Sequence, residues 1–119
     1  MYEVYQLPFE VAERLMAEKS TTPFMYRGLQ YSDSPYEYTK QLAQELFEKN
    51  GYRAVAKFNV SSLEAVYEAS GMGNEKLIER LDQMHTVSVG DIIRDVELDD
   101  YFIVNPMGFD FMGKLRRAV

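Results

Sequence analysis

The sequence predicts one α+β domain over residues 1–119, in which a small antiparallel β-sheet packs against three to four amphipathic helices. Three observations favour this fold class. The 119 residues are 46% hydrophobic, which is sufficient for a single core. Several short segments alternate between apolar and polar residues, as strands do. Other segments carry an apolar stripe at helical spacing, and most of these begin at a capping residue or a proline.

A strand and two helices are expected in the first half of the chain. Residues 2–7 alternate and predict the strand, and Pro8 can open a helix over residues 9–19 because its missing N–H costs nothing there. The motif Ser34-Pro35-Tyr36-Glu37 places a glutamate three residues after a capping serine, which predicts a second helix. Asn50-Gly51 is expected to end that helix, because both residues tolerate a left-handed backbone.

One strand and two short helices are expected in the middle of the chain. Residues 52–60 alternate, which predicts a strand with one face in solvent. Its expected inward positions are Tyr52, Ala54, Ala56 and Phe58. A capping box at residues 61–64 predicts a helix that reaches about Ala69. Asn74 is expected to cap a further short helix that extends to Met84.

A β-hairpin is expected in residues 86–111, "TVSVGDIIRDVELDDYFIVNPMGFDF". Gly90-Asp91 is expected to bend the chain just before a strand that starts at Ile92-Ile93. Residues 95–100 form an acidic turn, and residues 101–104 form the partner strand. A second turn follows, after which two aromatic residues are expected to pack back, namely Phe109 and Phe111.

Composition excludes several classes of function. The chain contains no cysteine, so disulfides, thiolate nucleophiles and cysteine-based metal sites are excluded, and a cytoplasmic protein is expected. The net charge of −6 repels phosphate backbones, which argues against nucleic-acid binding. No window is apolar over the length that a bilayer requires, and the N-terminus lacks the features of a signal peptide. We therefore expect no membrane association.

No catalytic residue, metal or cofactor is predicted. His85, Ser88 and Asp91 are the residue types of a nucleophile–base–acid triad. Such triads assemble from distant elements, however, so a structural role for the single histidine is the preferred interpretation. The acidic residues of the hairpin could hold a hard cation, but they lack the order of a calcium loop.

The aromatic segment over residues 24–38 is the predicted partner site, because its irregular pattern is not explained by core packing. Tyrosine supplies rigid contact area that is both apolar and polar. The residues proposed to contact a protein partner are Phe24, Tyr26, Tyr31 and Tyr36. The alternative is that these side chains form the solvated rim of a small core.

Three segments resemble the YodL-like group of small proteins: "LEAVYEAS" (63–70), "HTVSVGDII" (85–93) and "DYFIVNPMGF" (100–109). The early "VYQL" (4–7) fits the first strand of that group. The resemblance implies an open reading frame of a phage, plasmid or mobile element, with no established activity. Its motif positions are Leu63, Tyr67, His85, Ser88, Gly90, Asp91, Tyr101, Gly108 and Phe109. Turn formers and packing aromatics predominate among them, which indicates a scaffold.

The preferred hypothesis is a non-enzymatic accessory protein, encoded by a phage or mobile element and acting in the host bacterial cytoplasm. It would bind a host or viral protein through an acidic, tyrosine-bearing surface, in one version as an inhibitor. The alternative is a small enzyme, or a nucleotide- or RNA-fragment-binding domain that uses the hairpin. A pocket lined by His85, Ser88, Asp91 and Arg94 would support that alternative. A third hypothesis is a homodimer formed through a sheet edge at residues 2–7 or 101–104.

Overall fold

An antiparallel β-sheet dominates the structure, a computed structural model that describes residues 1–8, 43–73, 75–87, 90–105 and 108–116. Within these residues the sheet has six strands. They are β1 (Tyr2–Gln6), β2 (Arg53–Phe58), β3 (Ile78–Arg80), β4 (Ile92–Asp95), β5 (Asp100–Asn105) and β6 (Gly108–Gly113). Helix α1 spans Leu63–Met72, and a short 3-10 turn spans Glu75–Leu77. Residues 43–48 are also helical.

The N-terminal strand lies in the middle of the sheet, whose order is β3-β2-β1-β4-β5-β6. Strand β1 pairs antiparallel with β2 and with β4, so that Val4 lies between Ala56 and Ile93. Strands β4 and β5 form the expected hairpin. The prediction that residues 2–7 or 101–104 form a sheet edge is wrong, because β1 and β5 each have a neighbour on both sides. The edges of the described sheet are β3 and β6.

The prediction of a small sheet packed against three to four amphipathic helices is wrong. The sheet is larger, and α1 is the one helix of more than six residues in the described part of the chain. The helix predicted from Asn74 to Met84 is instead the 3-10 turn followed by β3. The helix predicted over residues 9–19 lies outside the described residues. No helix in the described part combines the length and apolar character needed to cross a membrane.

Unpaired backbone on β2 explains why β3 forms where a helix was expected. The N–H of Asn59 donates to the Leu77 carbonyl at 2.9 Å, and the N–H of Leu81 donates to the Val55 carbonyl at 2.9 Å. Between these bonds, Ile78 pairs with Phe58. These bonds and the pairing satisfy backbone groups along the outer side of β2, which a helix in this segment would leave without these partners.

Two predicted helix boundaries follow from local chemistry. Ser62 caps α1, where its Oγ accepts the N–H of Ala65 at 3.1 Å. Gly73 ends the helix with φ of 65° and donates its N–H to the Ala69 carbonyl. The helix is therefore longer than expected, since it continues past Ala69 to Met72. The helical residues 43–48 end at Asn50, which has φ of 61° as predicted.

Both faces of the sheet are buried at its centre. One face, here called the helix face, carries Val4, Ile93 and Val104 and packs against Val66 and Ala69 of α1. The opposite face, here called the aromatic face, packs against the helical residues 43–48. Its core consists of Tyr5, Leu7, Ala43, Phe47, Tyr52, Ile92, Tyr101, Ile103 and Leu115.

The Phe47 ring is the centre of the aromatic face. Its centroid lies 5.0 Å from that of Tyr5 and 5.1 Å from that of Tyr101, both in edge-to-face geometry, and 6.1 Å from that of Tyr52. Edge-to-face pairs at these distances are favourable beyond the area that they bury. The rings therefore link the helical residues 43–48 to β1 and β5.

A β-bulge in β2 interrupts the predicted alternation. Positions before and after the bulge that were expected on one face therefore lie on opposite faces of the sheet. The pairing of β1 with β2 shifts by one residue between Val4 and Tyr5, which leaves Val55 as the extra residue. Ala56 lies in the core of the helix face, whereas Ala54 packs against the aromatic face. The expectation that Tyr52, Ala54, Ala56 and Phe58 share one face, with the other face in solvent, is therefore wrong.

Replacing Phe47 by alanine should lower the free energy of unfolding by about 3 to 5 kcal/mol. Phe47 is 1% exposed, and alanine favours helix, so the loss reports the missing ring and not a weakened helix. Urea denaturation measures the change. Leu98→Ala is the matched control, since Leu98 is 63% exposed and should change stability by less than about 0.5 kcal/mol. Equal effects of the two substitutions would contradict the position assigned to the ring.

Candidate functional site

A buried glutamine at the end of β1 holds together the segments that carry the predicted chemistry. The Gln6 amide Nε2 donates to Asp91 Oδ2 and to the His85 carbonyl, each at 2.9 Å. Its Oε1 accepts the backbone N–H of His85 at 3.1 Å. Gln6 is 2% exposed and Asp91 is fully buried. We call Gln6, His85 and Asp91 the Gln6 cluster. It joins β1 to the chain before and after the Gly90-Asp91 bend.

Hydrogen bonds to β5 and to Tyr52 stabilise the bend at Gly90-Asp91. Gly90 has φ of 98°, a conformation that favours glycine. Its N–H donates to the Val104 carbonyl at 3.0 Å, and the N–H of Val104 donates to the Asp91 carbonyl at 2.9 Å. The Tyr52 hydroxyl donates to the Gly90 carbonyl at 2.7 Å. The predicted bend is confirmed, and the Asp91 carboxylate also reaches across to β1.

His85 has a different environment from the histidine of a catalytic triad. Its Nδ1 lies 2.9 Å from the Thr86 carbonyl and 3.3 Å from Gln6 Nε2. A triad requires a carboxylate to accept the imidazole N–H, whereas Oδ2 of Asp91 accepts the Gln6 amide. Ser88 lies outside the described residues. Among the described residues, His85 and Asp91 are both hydrogen-bonded to Gln6.

A cavity of about 300 Å³, here called the His85 cavity, opens beside this cluster. Its lining comprises Gln6, Leu7, Pro8, Arg53, Val55, Gln83, Met84 and His85. The pocket that would support the enzyme or nucleotide-binding alternative includes Arg94, and Arg94 does not line this cavity. Its Nε donates to Asp99 at 2.7 Å, and its guanidinium lies 3.5 Å from Glu3. Arg94 therefore belongs to an ion-pair network at a different part of the sheet.

The carboxylates of the β4–β5 turn are paired with cations or with backbone. Asp95 accepts the N–H groups of Glu97 and Leu98, and Asp100 lies 3.3 Å from the Lys114 ammonium. The hydrogen bond from Arg94 lowers the pKa of the Asp99 carboxyl. In the same way, the N-terminal ammonium lowers the pKa of Glu97. Among the described residues, no three acidic or histidine side chains are grouped as a metal site would require.

A second cavity, of about 360 Å³, lies between α1 and the end of the β5–β6 pair. We call it the acidic cleft. Its lining comprises Glu64, Tyr67, Glu68, Val104, Asn105, Gly108 and Phe109. Tyr67, which was predicted to belong to the scaffold, is 50% exposed on the wall of this cavity. Leu63, in contrast, packs against the core of the helix face.

The acidic cleft lies in a negative electrostatic environment. Glu64 and Glu68 are exposed, and neither takes part in an ion pair between described residues. Burial raises the pKa of the nearby Tyr2 hydroxyl, and the carboxylates of Asp95, Glu97 and Glu64 raise it further. Glu64 therefore lies close enough to Tyr2 to favour the protonated hydroxyl.

The structure divides the predicted motif into two groups. His85, Gly90 and Asp91 surround the bend, whereas Tyr67, Gly108 and Phe109 line the acidic cleft. Tyr101 is buried in the aromatic face, as expected for a packing residue. Sequence reasoning missed Gln6, Glu64 and Glu68. The spacing of the two glutamates, four residues apart on a predicted helix, was the available signal for the cleft.

The predicted partner residues lie outside the described residues. They are Phe24, Tyr26, Tyr31 and Tyr36. Comparison with protein-family models, with curated proteins and with solved structures found no match to this chain.

Gln6→Leu should lower the free energy of unfolding by about 2 kcal/mol or more, because buried polar groups at His85 and Asp91 lose their amide partner. Urea denaturation measures the loss. Gln44→Leu makes the same chemical change at an exposed glutamine and should have little effect. If both variants are as stable as the wild type, the Gln6 cluster does not hold the sheet together.

Proposed function

We propose that this chain is a non-enzymatic binding protein that attaches to a protein partner through the acidic cleft. The observation that carries the proposal is a cavity of about 360 Å³ whose walls carry a half-exposed tyrosine and two carboxylates that form no ion pair with another described residue. Tyrosine is enriched where proteins bind one another. Carboxylates without a cation partner favour a partner of opposite charge.

The arrangement of the chemistry-bearing residues supports a binding function over a catalytic one. Gln6 and Asp91 are buried and bonded to each other, and both sides of the bend depend on them. Their described hydrogen bonds account for them as parts of the fold. The resemblance to the YodL-like group supports a phage or mobile-element origin. On that basis the proposed partner is a host or viral protein, and inhibition of the partner is one form of the proposal.

Replacing both glutamates of the cleft should abolish partner binding. The tagged wild type is expected to retain one stoichiometric protein from a bacterial lysate, and Glu64→Gln/Glu68→Gln should lose it because the cleft no longer carries charge. Mass spectrometry and stained gels measure the bound protein. Glu45→Gln/Glu48→Gln is the matched control, since it changes net charge equally on the helical residues 43–48. Loss of the partner in both variants, or in neither, would contradict the cleft as the binding surface.

A small-ligand site is the second candidate function, and the His85 cavity favours it. The cavity has the size of the smaller ligand sites. It presents the polar side chains of Arg53 and His85. Arg53 lies 3.3 Å from Asp82 and remains half exposed, so its guanidinium could meet a phosphate of a nucleotide or RNA fragment.

A panel of mononucleotides and dinucleotides tests the second candidate through the melting temperature. A ligand of the His85 cavity should raise the melting temperature in proportion to the logarithm of its concentration. His85→Ala and Arg53→Gln should each remove the increase. Arg80→Gln is the control, because this arginine is also ion-paired at the surface but does not line the cavity. A flat response to every nucleotide would exclude a nucleotide site.

A further inference from the structure

We infer that the acidic cleft receives a single arginine side chain of the partner. The inference rests on the proposed function and deepens it, since it names the chemical group that the surface recognises. A cleft of about 360 Å³ is at the small end of the range for ligand sites. It therefore suits one long side chain and not a folded element of the partner.

The walls of the cleft match the two chemical parts of an arginine side chain. Tyr67 and Phe109 supply ring surface, and Val104 supplies a buried apolar wall. The methylene groups of an arginine can pack on such a surface while its charged end stays near water. A guanidinium is attracted to the face of an aromatic ring within about 6 Å of the ring centroid.

The charges of the cleft are placed for a planar cation. Glu64 and Glu68 are four residues apart on α1, so their side chains project from the same side of the helix, about one turn apart. Carboxylates bind guanidinium groups through parallel hydrogen bonds. Three of this chain's own arginines are already paired, because Arg53, Arg80 and Arg94 contact carboxylates elsewhere. Those arginines do not occupy the cleft.

Arginine fits this arrangement better than lysine does. The guanidinium is planar, stacks on aromatic rings and is more weakly hydrated than an ammonium, and its five donors can serve two carboxylates at once. A lysine ammonium is a compact and strongly hydrated charge that gains less from the ring surface. The combination of two ring-bearing walls with two carboxylates therefore favours arginine.

Short peptides test the inference without knowledge of the partner. The probe is acetyl-Gly-Gly-Arg-Gly-Gly-amide, and its analogues replace arginine by lysine or by the uncharged isostere citrulline. Amide NMR shifts of the whole chain are followed during titration. The arginine peptide should produce saturable shifts at Tyr67, Glu68 and Phe109. It should bind several-fold more tightly than the lysine peptide, and the citrulline peptide should give no saturable shift.

Substitutions within the cleft should change the binding of the arginine peptide in defined ways. Glu68→Gln should lower the affinity for the arginine peptide by about fivefold, which is the effect of losing one exposed ion pair. Tyr67→Ala should reduce the preference for arginine over lysine, because the ring that favours the guanidinium is removed. Glu45→Gln should leave the affinity unchanged. Both cleft residues are exposed or half exposed, so the variants should fold, and the NMR spectra show directly whether they do.

The outcomes separate this inference from the proposed function. Equal binding of the arginine and lysine peptides, or shifts outside the cleft, would overturn the arginine site even if a lysate partner needs Glu64 and Glu68. Specific arginine binding supports the site even if the lysate provides no partner. Dimerisation of the chain without any peptide, accompanied by concentration-dependent shifts at Tyr67, Glu68 and Phe109, would assign the cleft to a second copy and overturn the inference.

Discussion

The burial of β1 on both faces is the constraint on which the rest of the structure depends. Val4 points into the helix face and Tyr5 into the aromatic face, and both are fully buried. Two polar residues of the same strand, Glu3 and Gln6, are buried with them. The Tyr5 hydroxyl donates to Glu3, and Gln6 binds its cluster. A strand in this position is stable only when its polar side chains have internal partners, because water cannot reach them.

This constraint makes the fold strongly non-local. Every described strand partner of β1 lies beyond residue 52, in β2 or in β4. The entropy of closing these long loops must be lost before the pairings form, which is characteristic of slowly folding β-rich domains. Gln6 bonds to His85 and Asp91, which lie 79 and 85 positions later in the chain. These contacts therefore form only after distant segments have come together.

The interior of the sheet and the acidic cleft are connected through β5. The backbone of Val104 bonds to both residues of the Gly90-Asp91 bend, and the Val104 side chain lines the cleft. The bend therefore helps to position β5. Strand β5 in turn pairs with β6, where Phe109 lies opposite Val104. The two groups of motif residues thus have different roles. The first group holds the strand in place, and the second lines the acidic cleft.

Local patterns in the sequence determined the parts of this protein whose partners are adjacent in the chain. They specified the β4–β5 hairpin, the glycine bend and the start of α1, because turn and capping chemistry acts over a few residues. Tertiary structure alone decided the short edge strand β3, the bulge at Val55 and the burial of both faces. Each of these depends on which distant backbone group needs a partner, and no local period encodes that need. The acidic cleft has the same origin, since helix packing brings α1 beside the end of β5.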